Sequence, residues 1–131
     1  MTSGALRWQL PTLRNIIDRD DLHVAPFRED GSTTGTPTWI WCVEVDGELY
    51  VRAYHGTRST WYQAAMNQGA GRIAAADLLR DVAFEHVQQS ELLDRIDEAY
   101  RVKYAGSPYL ASMIASKSRA ATARVRPRTS P

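Results

Sequence analysis

Seven side chains between Trp41 and Trp61 have the types and spacing to hold a small, flat, negatively charged molecule. Trp41, Arg52 and Tyr54 combine two aromatic rings with a guanidinium, which can stack on a planar ligand or take an anion through its fork of donors. Thr57, Arg58 and Ser59 stand just before Trp61, where the pattern of the chain changes to that of a helix. The first backbone N–H groups of a helix lack intrahelical partners and carry partial positive charge. Two hydroxyls and a guanidinium beside them make a phosphate cradle. The competing reading is a plain helix cap that binds nothing.

Two elements must position these residues. Asp46-Gly47 is a two-residue turn pair, because a type I′ turn needs φ > 0 at both central positions. A two-residue loop pairs Val45 with Glu48, Val43 with Tyr50, Trp41 with Arg52 and Trp39 with Tyr54. Directly opposed residues share a face. One face then carries Trp39, Trp41, Val43, Tyr50, Arg52 and Tyr54, and the other carries Ile40, Cys42, Leu49, Val51 and Ala53. The second face suits a barrel interior. The first either packs under a helix or a homodimer seam, or serves as a ligand platform. The other element is a helix from Thr60, with Thr60 as N-cap, Gln63 reaching back in a capping box and Gly69 ending it.

The remaining elements are read more coarsely. Pro11–Arg19 is a short helix, Leu22–Phe27 a strand and Arg28–Gly31 a turn. Over Ala75–Val87, propensity alone favours helix, whereas the alternation of Val82, Phe84 and His86 favours strand. Ser90–Tyr104 is the clearest helix, capped by Ser90 and stopped by Gly106 and Pro108. Tyr109–Ile114 reads as a short helical piece and Ala121–Arg126 as a closing strand.

At 131 residues with 44% hydrophobic content, the chain is expected to form one domain over residues 1–131, with its core at about 8–128. No apolar run approaches the length of a membrane span and no signal peptide is visible, so the expectation is a cytoplasmic protein without a membrane. The single Cys42 rules out an internal disulfide and reads as buried and inert. Net charge is +1 but uneven: residues 1–98 hold nine basic against fifteen acidic residues, whereas 99–131 hold seven basic and none acidic. Such a basic end can bind nucleic acid, yet seven charges over 33 residues are dilute, and folding back on an acidic body is the stronger reading.

No catalytic residue and no metal site can be assigned. His23, His55 and His86 lack metal-ligand spacing. There is no nucleophile elbow, Walker motif or dinucleotide fingerprint. Asp20-Asp21 and Glu29-Asp30 read as turn residues. An enzyme built this way would leave the difficult chemistry to a cofactor.

Three segments carry a family resemblance: Pro37-Thr38-Trp39-Ile40-Trp41, Asp46-Gly47-Glu48-Leu49-Tyr50-Val51-Arg52 and Gly56-Thr57-Arg58-Ser59-Thr60-Trp61-Tyr62. They resemble the flavin-binding split-barrel superfamily, with the deazaflavin-dependent nitroreductases and the FMN-binding oxidases of pyridoxine phosphate as its better-known members. Within it, Pro26-Phe27-Arg28-Glu29-Asp30-Gly31, Ala99-Tyr100-Arg101-Val102-Lys103-Tyr104 and Ser107-Pro108-Tyr109 are similar to an uncharacterised bacterial family of unknown function. The resemblance implies a mainly β, α+β split barrel, a homodimer, and FMN or deazaflavin at the subunit seam. It turns residues 71–87 into two strands and places the cofactor phosphate near Arg52, Thr57, Arg58 and Ser59. Two functions stay open: a flavin- or deazaflavin-dependent oxidoreductase of small molecules, and a cofactor-free barrel that binds, isomerises or cyclises a small aromatic or anionic metabolite.

Overall fold

The computed structural model describes residues 7–128. Its strands are β1 (His23–Pro26), β2 (Thr38–Trp39), β3 (Cys42–Val45), β4 (Glu48–Arg52), β5 (Ala70–Ala75), β6 (Leu78–His86) and β7 (Thr122–Pro127). Its helices are α1 (Leu10–Arg19), α2 (Thr60–Gln68), α3 (Ser90–Lys103), α4 (Leu110–Met113) and α5 (Ser116–Arg119), with a single 3₁₀ turn at Gly56–Arg58. The class is α+β. The seven strands form one sheet in the order β2-β1-β5-β6-β7-β4-β3, and every pairing is antiparallel.

That order forces the sheet to curl. β2 and β3 are its two edges, yet only Ile40 and Trp41 separate them in the chain. Six interstrand spacings of about 4.8 Å would hold the edges of a flat sheet about 29 Å apart. Three Cα–Cα steps reach at most about 11 Å. The sheet therefore rolls up until the edges meet. Its concave side encloses Leu22, Val24, Ile73, Val82, Leu49 and Val125, all with no more than 1% of their surface exposed. Each such aliphatic side chain contributes about 1.5–3 kcal/mol by burial. Leu13 and Ile16 of α1, and Trp61, Tyr62 and Ala65 of α2, pack into the same core.

The hairpin has the register the turn dictates: Cys42 opposes Val51, Val43 opposes Tyr50 and Val45 opposes Glu48, with Asp46 at φ 54 and Gly47 at φ 80. Its two faces part as alternation requires. Ile40, Cys42, Leu49, Val51 and Ala53 join the barrel core, whereas Val43, Val45 and Tyr50 pack outward against Leu93, Ile96 and Tyr100 of α3. The expected pairing of Trp39 with Tyr54 does not form. Trp39 opposes His23 of β1, because the chain leaves one edge of the sheet for the other at Ile40-Trp41.

Residues 70–86 are the β5–β6 hairpin, against their helical propensity. Gly71, Ile73 and Ala75 alternate inward with Val82 and Phe84, and burial of that alternation outweighs a propensity difference of a few tenths of a kcal/mol per residue. Two helix starts differ from expectation. Ser59, not Thr60, stands at the N-cap of α2, and Gln63 Nε2 donates to Thr57 O at 3.2 Å instead of closing a capping box. Gln89, not Ser90, precedes α3, and neither helix has a side-chain cap.

Gly71 is where β5 comes closest to its neighbours. A Cβ there would lie 2.6 Å from Pro26 Cα and 2.7 Å from Ala25 O, both backbone atoms of β1. Gly71→Ala should destabilise the fold by about 1–3 kcal/mol, the usual cost of overpacking. Urea unfolding of both proteins measures it. An unchanged midpoint would mean that β1 and β5 are not in this contact.

Candidate functional site

A half-open cavity of about 600 Å³ lies where the rolled sheet meets the loop after β4. Trp39, Trp41, Tyr54, Trp61 and Tyr109 supply its aromatic walls, and Thr38, His55 and Ser59 its uncharged or titratable polar groups. Each wall is set by a different element. Trp41 sits in the crossing between β2 and β3 and stacks on Tyr104 of the α3 C-cap at 3.8 Å with the planes 3° apart. Tyr54 and His55 follow β4, Trp61 opens α2, and Tyr109 precedes α4. Trp39 Nε1 donates to Asp20 O at 3.1 Å, which fixes the ring although 51% of the residue is exposed.

The floor is Arg52 with Met113. Arg52 is fully buried, and four of its five N–H donors are engaged. Nε donates to Thr122 Oγ1 at 2.9 Å, Nη1 to Asp97 Oδ1 at 2.5 Å and to Met113 O at 3.1 Å, and Nη2 to Leu93 O at 3.2 Å. The guanidinium also lies 5.3 Å from the Tyr100 ring centroid. Asp97 is shared: its other oxygen accepts from Arg119 Nη1 at 2.5 Å. A charge so paired costs several kcal/mol to desolvate and holds together only while its partners remain. The expectation of a free Arg52 is therefore corrected: it closes the bottom of the cavity with its charge paired to Asp97.

Of the seven residues expected at the site, Trp41, Arg52, Tyr54, Ser59 and Trp61 line the cavity. Thr57 and Arg58 do not; both are exposed on the 3₁₀ turn beside it. Sequence reasoning missed Thr38, Ile40, His55, Tyr109 and Met113 as lining residues, and had Trp39 only on the aromatic face of the hairpin. His55 adjoins Tyr54 in a loop already singled out, so position alone could have suggested it. Tyr109 arrives from about 55 residues further along, and nothing local marks it.

Cys42 is fully buried in the core, and burial pushes its thiol up to about 11. Lys103 Nζ donates to Cys42 O at 2.7 Å and lies 3.1 Å from Asp20 Oδ1, while the Tyr104 hydroxyl donates to Asp20 Oδ1 at 2.6 Å. This clasp seals the seam where α1, β3 and α3 meet. The basic end of the chain pairs inward: Arg119 with Asp94 and Asp97, Arg124 with Glu85, and Arg126 with Glu48 and Glu85. Among the described residues no three His, Cys, Asp or Glu side chains group to hold a metal, and no helix is long and apolar enough to cross a membrane.

A family model described as "Uncharacterized protein conserved in bacteria (DUF2255)" matches residues 12–125. Among solved structures, the chain is similar to the conserved hypothetical protein Rv2991 from Mycobacterium tuberculosis, with a TM-score of 0.61 and 16% identity over 96% of this chain and 82% of that one. At that identity the likeness speaks to the fold alone. No curated protein matches the chain.

Two outcomes follow from the buried groups. Asp97→Asn should destabilise the protein by about 3–5 kcal/mol, because it leaves the Arg52 charge uncompensated, whereas Arg58→Ala should shift stability by less than about 0.5 kcal/mol. Denaturant unfolding compares them; equal shifts would refute the buried clasp. Cys42 should resist a thiol-specific disulfide reagent at pH 8 in the native protein and react with one equivalent in guanidinium. Rapid native reaction would place the thiol at the surface.

Proposed function

The chain belongs to this bacterial family, whose description states no activity, so its function rests on its cavity, and we propose that the cavity binds a planar aromatic ligand of the flavin or deazaflavin class. The observation that carries the reading is the set of five aromatic side chains, from four separate segments, turned onto one half-open space. Such walls bind flat rings by stacking and burial, and about 1–3 kcal/mol per stacked ring is typical. In this reading the protein is a split barrel of the flavin-binding type. Trp41, Tyr54 and Trp61 hold the ring, while Ser59 and the opening turn of α2 face a phosphate that projects from the cavity towards Thr57 and Arg58 on the exposed neighbouring turn. A bound flavin would supply hydride transfer; the chain's own residues orient the ring and keep water off it.

A homodimer is part of the same proposal. Trp39, Tyr54 and Tyr109 are 51%, 39% and 58% exposed around the mouth of the cavity. A second copy set against them would complete the enclosure and bury an apolar rim that is otherwise left in water.

A second reading is favoured by the commitment of Arg52 to Asp97. Without a free cation on its floor, the cavity suits an aromatic metabolite bound without any cofactor, and the protein then binds, isomerises or cyclises that metabolite.

Riboflavin and FMN separate the readings, because they share the ring and differ in the phosphate. Riboflavin should quench the cavity tryptophans, and Tyr54→Ala should weaken it about tenfold. Arg58→Ala should weaken FMN about tenfold to a hundredfold and leave riboflavin unchanged. Equal FMN affinity in both proteins would remove the phosphate site and leave the cofactor-free reading. Sedimentation at tens of micromolar should give a dimer; a monomer would count against the seam.

A further inference from the structure

The fold treats the three histidines differently. His23 Nδ1 lies 3.0 Å from Asp21 O, and His86 Nδ1 lies 2.5 Å from the Tyr62 hydroxyl. His55 lines the cavity, and neither of its ring nitrogens meets a hydrogen-bonding partner among the described residues. Its backbone is nonetheless held firmly. Gly56 N–H donates to Ala53 O at 2.9 Å, and Ser118 Oγ donates to Tyr54 O at 3.3 Å. Gly56 is packed so closely under α5 that a Cβ there would collide with Lys117 Cγ and lie 3.1 Å from Lys117 O. The imidazole stands edge-on to the Tyr54 ring, 5.2 Å away at 87°. An exposed polar ring on a fixed stem, facing an aromatic space without a partner of its own, is placed to receive one.

We propose that His55 is the counter-charge of this cavity: it binds the carboxylate of a planar aromatic acid whose ring lies among Trp41, Tyr54 and Trp61. The inference rests on the cavity being a site for flat rings and adds the charge such a ligand carries. Arg52, the guanidinium in the lining, has its charge paired with Asp97 and its Nη1 and Nη2 donating to Asp97, Met113 O and Leu93 O. Imidazole is the side chain whose charge changes between about pH 5 and 8. A carboxylate ligand stays ionised through that window, and an imidazole that is protonated within it binds a carboxylate more tightly than a neutral one does. The ionisable groups on the surrounding elements are Tyr54 and Arg58 on the same segment, Tyr62 on α2, Tyr109 before α4, Lys117 and Arg119 on α5, and the Arg52–Asp97 pair below. Phenols, ammonium and guanidinium groups as classes titrate above the window, and carboxylates below it. The other two imidazoles nearby are His23, which opposes Trp39 across the sheet, and His86 against the Tyr62 hydroxyl, so substitution of His55 itself assigns the effect.

The test uses 2-naphthoate and its neutral counterpart 2-naphthamide, followed by tryptophan quenching and by calorimetry. From about pH 8 to about pH 5.5, naphthoate should bind about tenfold more tightly to the natural protein, and naphthamide should not change. His55→Gln should abolish the pH dependence of naphthoate and leave naphthamide binding intact. Tyr54→Ala should weaken both probes, which locates them in the cavity. If naphthamide binds but naphthoate affinity is flat with pH, or if the dependence survives in His55→Gln, His55 is not the counter-charge and only this inference falls. If neither probe nor riboflavin binds, the ring site itself falls with it.

Discussion

Arg52 is a charge with no access to water, and four elements meet at its guanidinium. It belongs to β4, donates to Thr122 of β7, to Asp97 and Leu93 O of α3, and to Met113 O of α4. Removing a guanidinium and a carboxylate from water costs several kcal/mol per ion, and the low-dielectric attraction between them recovers this only with good geometry and with the remaining donors satisfied. Here the geometry is good on every side. The consequence is directional: α3 is held over the outer face of the hairpin not only by Leu93, Ile96 and Tyr100 but at one register along its axis. α4 is then held by its own carbonyl, and with it Tyr109 at the edge of the cavity. The same pairing takes up the positive charge at the floor of the cavity, so one interaction sets both the shape of that space and its charge.

The wider electrostatics follow the same inward pattern. A segment with seven basic residues and no acidic ones invites a search for an external polyanion. Arg124 and Arg126 sit on β7 between β4 and β6, and each finds its carboxylate on a neighbouring strand. Arg119 reaches α3. At its tip, the β3–β4 hairpin is tied down by both Asp46 oxygens, which accept from Arg95 at 2.6 and 2.8 Å. Charges that look segregated along the chain are interleaved in space.

How much of this could be read from the residues depends on the range of each cause. The β3–β4 register and its two faces are local: Asp46-Gly47 permits one turn, and alternation does the rest. α3 is legible for the same reason, through apolar spacing over four turns. What escapes is set by distant partners. Asp97 is 45 residues from Arg52 and lies among charged residues that resemble a solvated helix face. Trp39 leaves the hairpin because β1, some sixteen residues earlier, takes it as a partner. The turn at Ala76-Asp77, with both φ values positive, carries no Gly or Asn; Asp21 supports it by accepting from Ala76 N at 2.9 Å. The aromatic lining was half visible, as Trp41, Tyr54 and Trp61. The loss of Arg52 to the interior was not, since nothing near it in the chain announces its carboxylate.

The position of β7 bears on how such a chain reaches its fold. The most C-terminal of the described strands lies between β6 and β4 and joins β2-β1-β5-β6 to the β4-β3 pair. Leu49 must wait for Val125 and Val82 for Pro127. Until then two half-sheets exist with unpaired strand edges, the kind of surface that templates association between nascent chains. Pairings this distant in sequence give a high contact order and slow closure. The segment that completes the sheet also brings Thr122 and Arg119 to the Arg52–Asp97 clasp, so the strand that closes the sheet also completes the network around its buried charge.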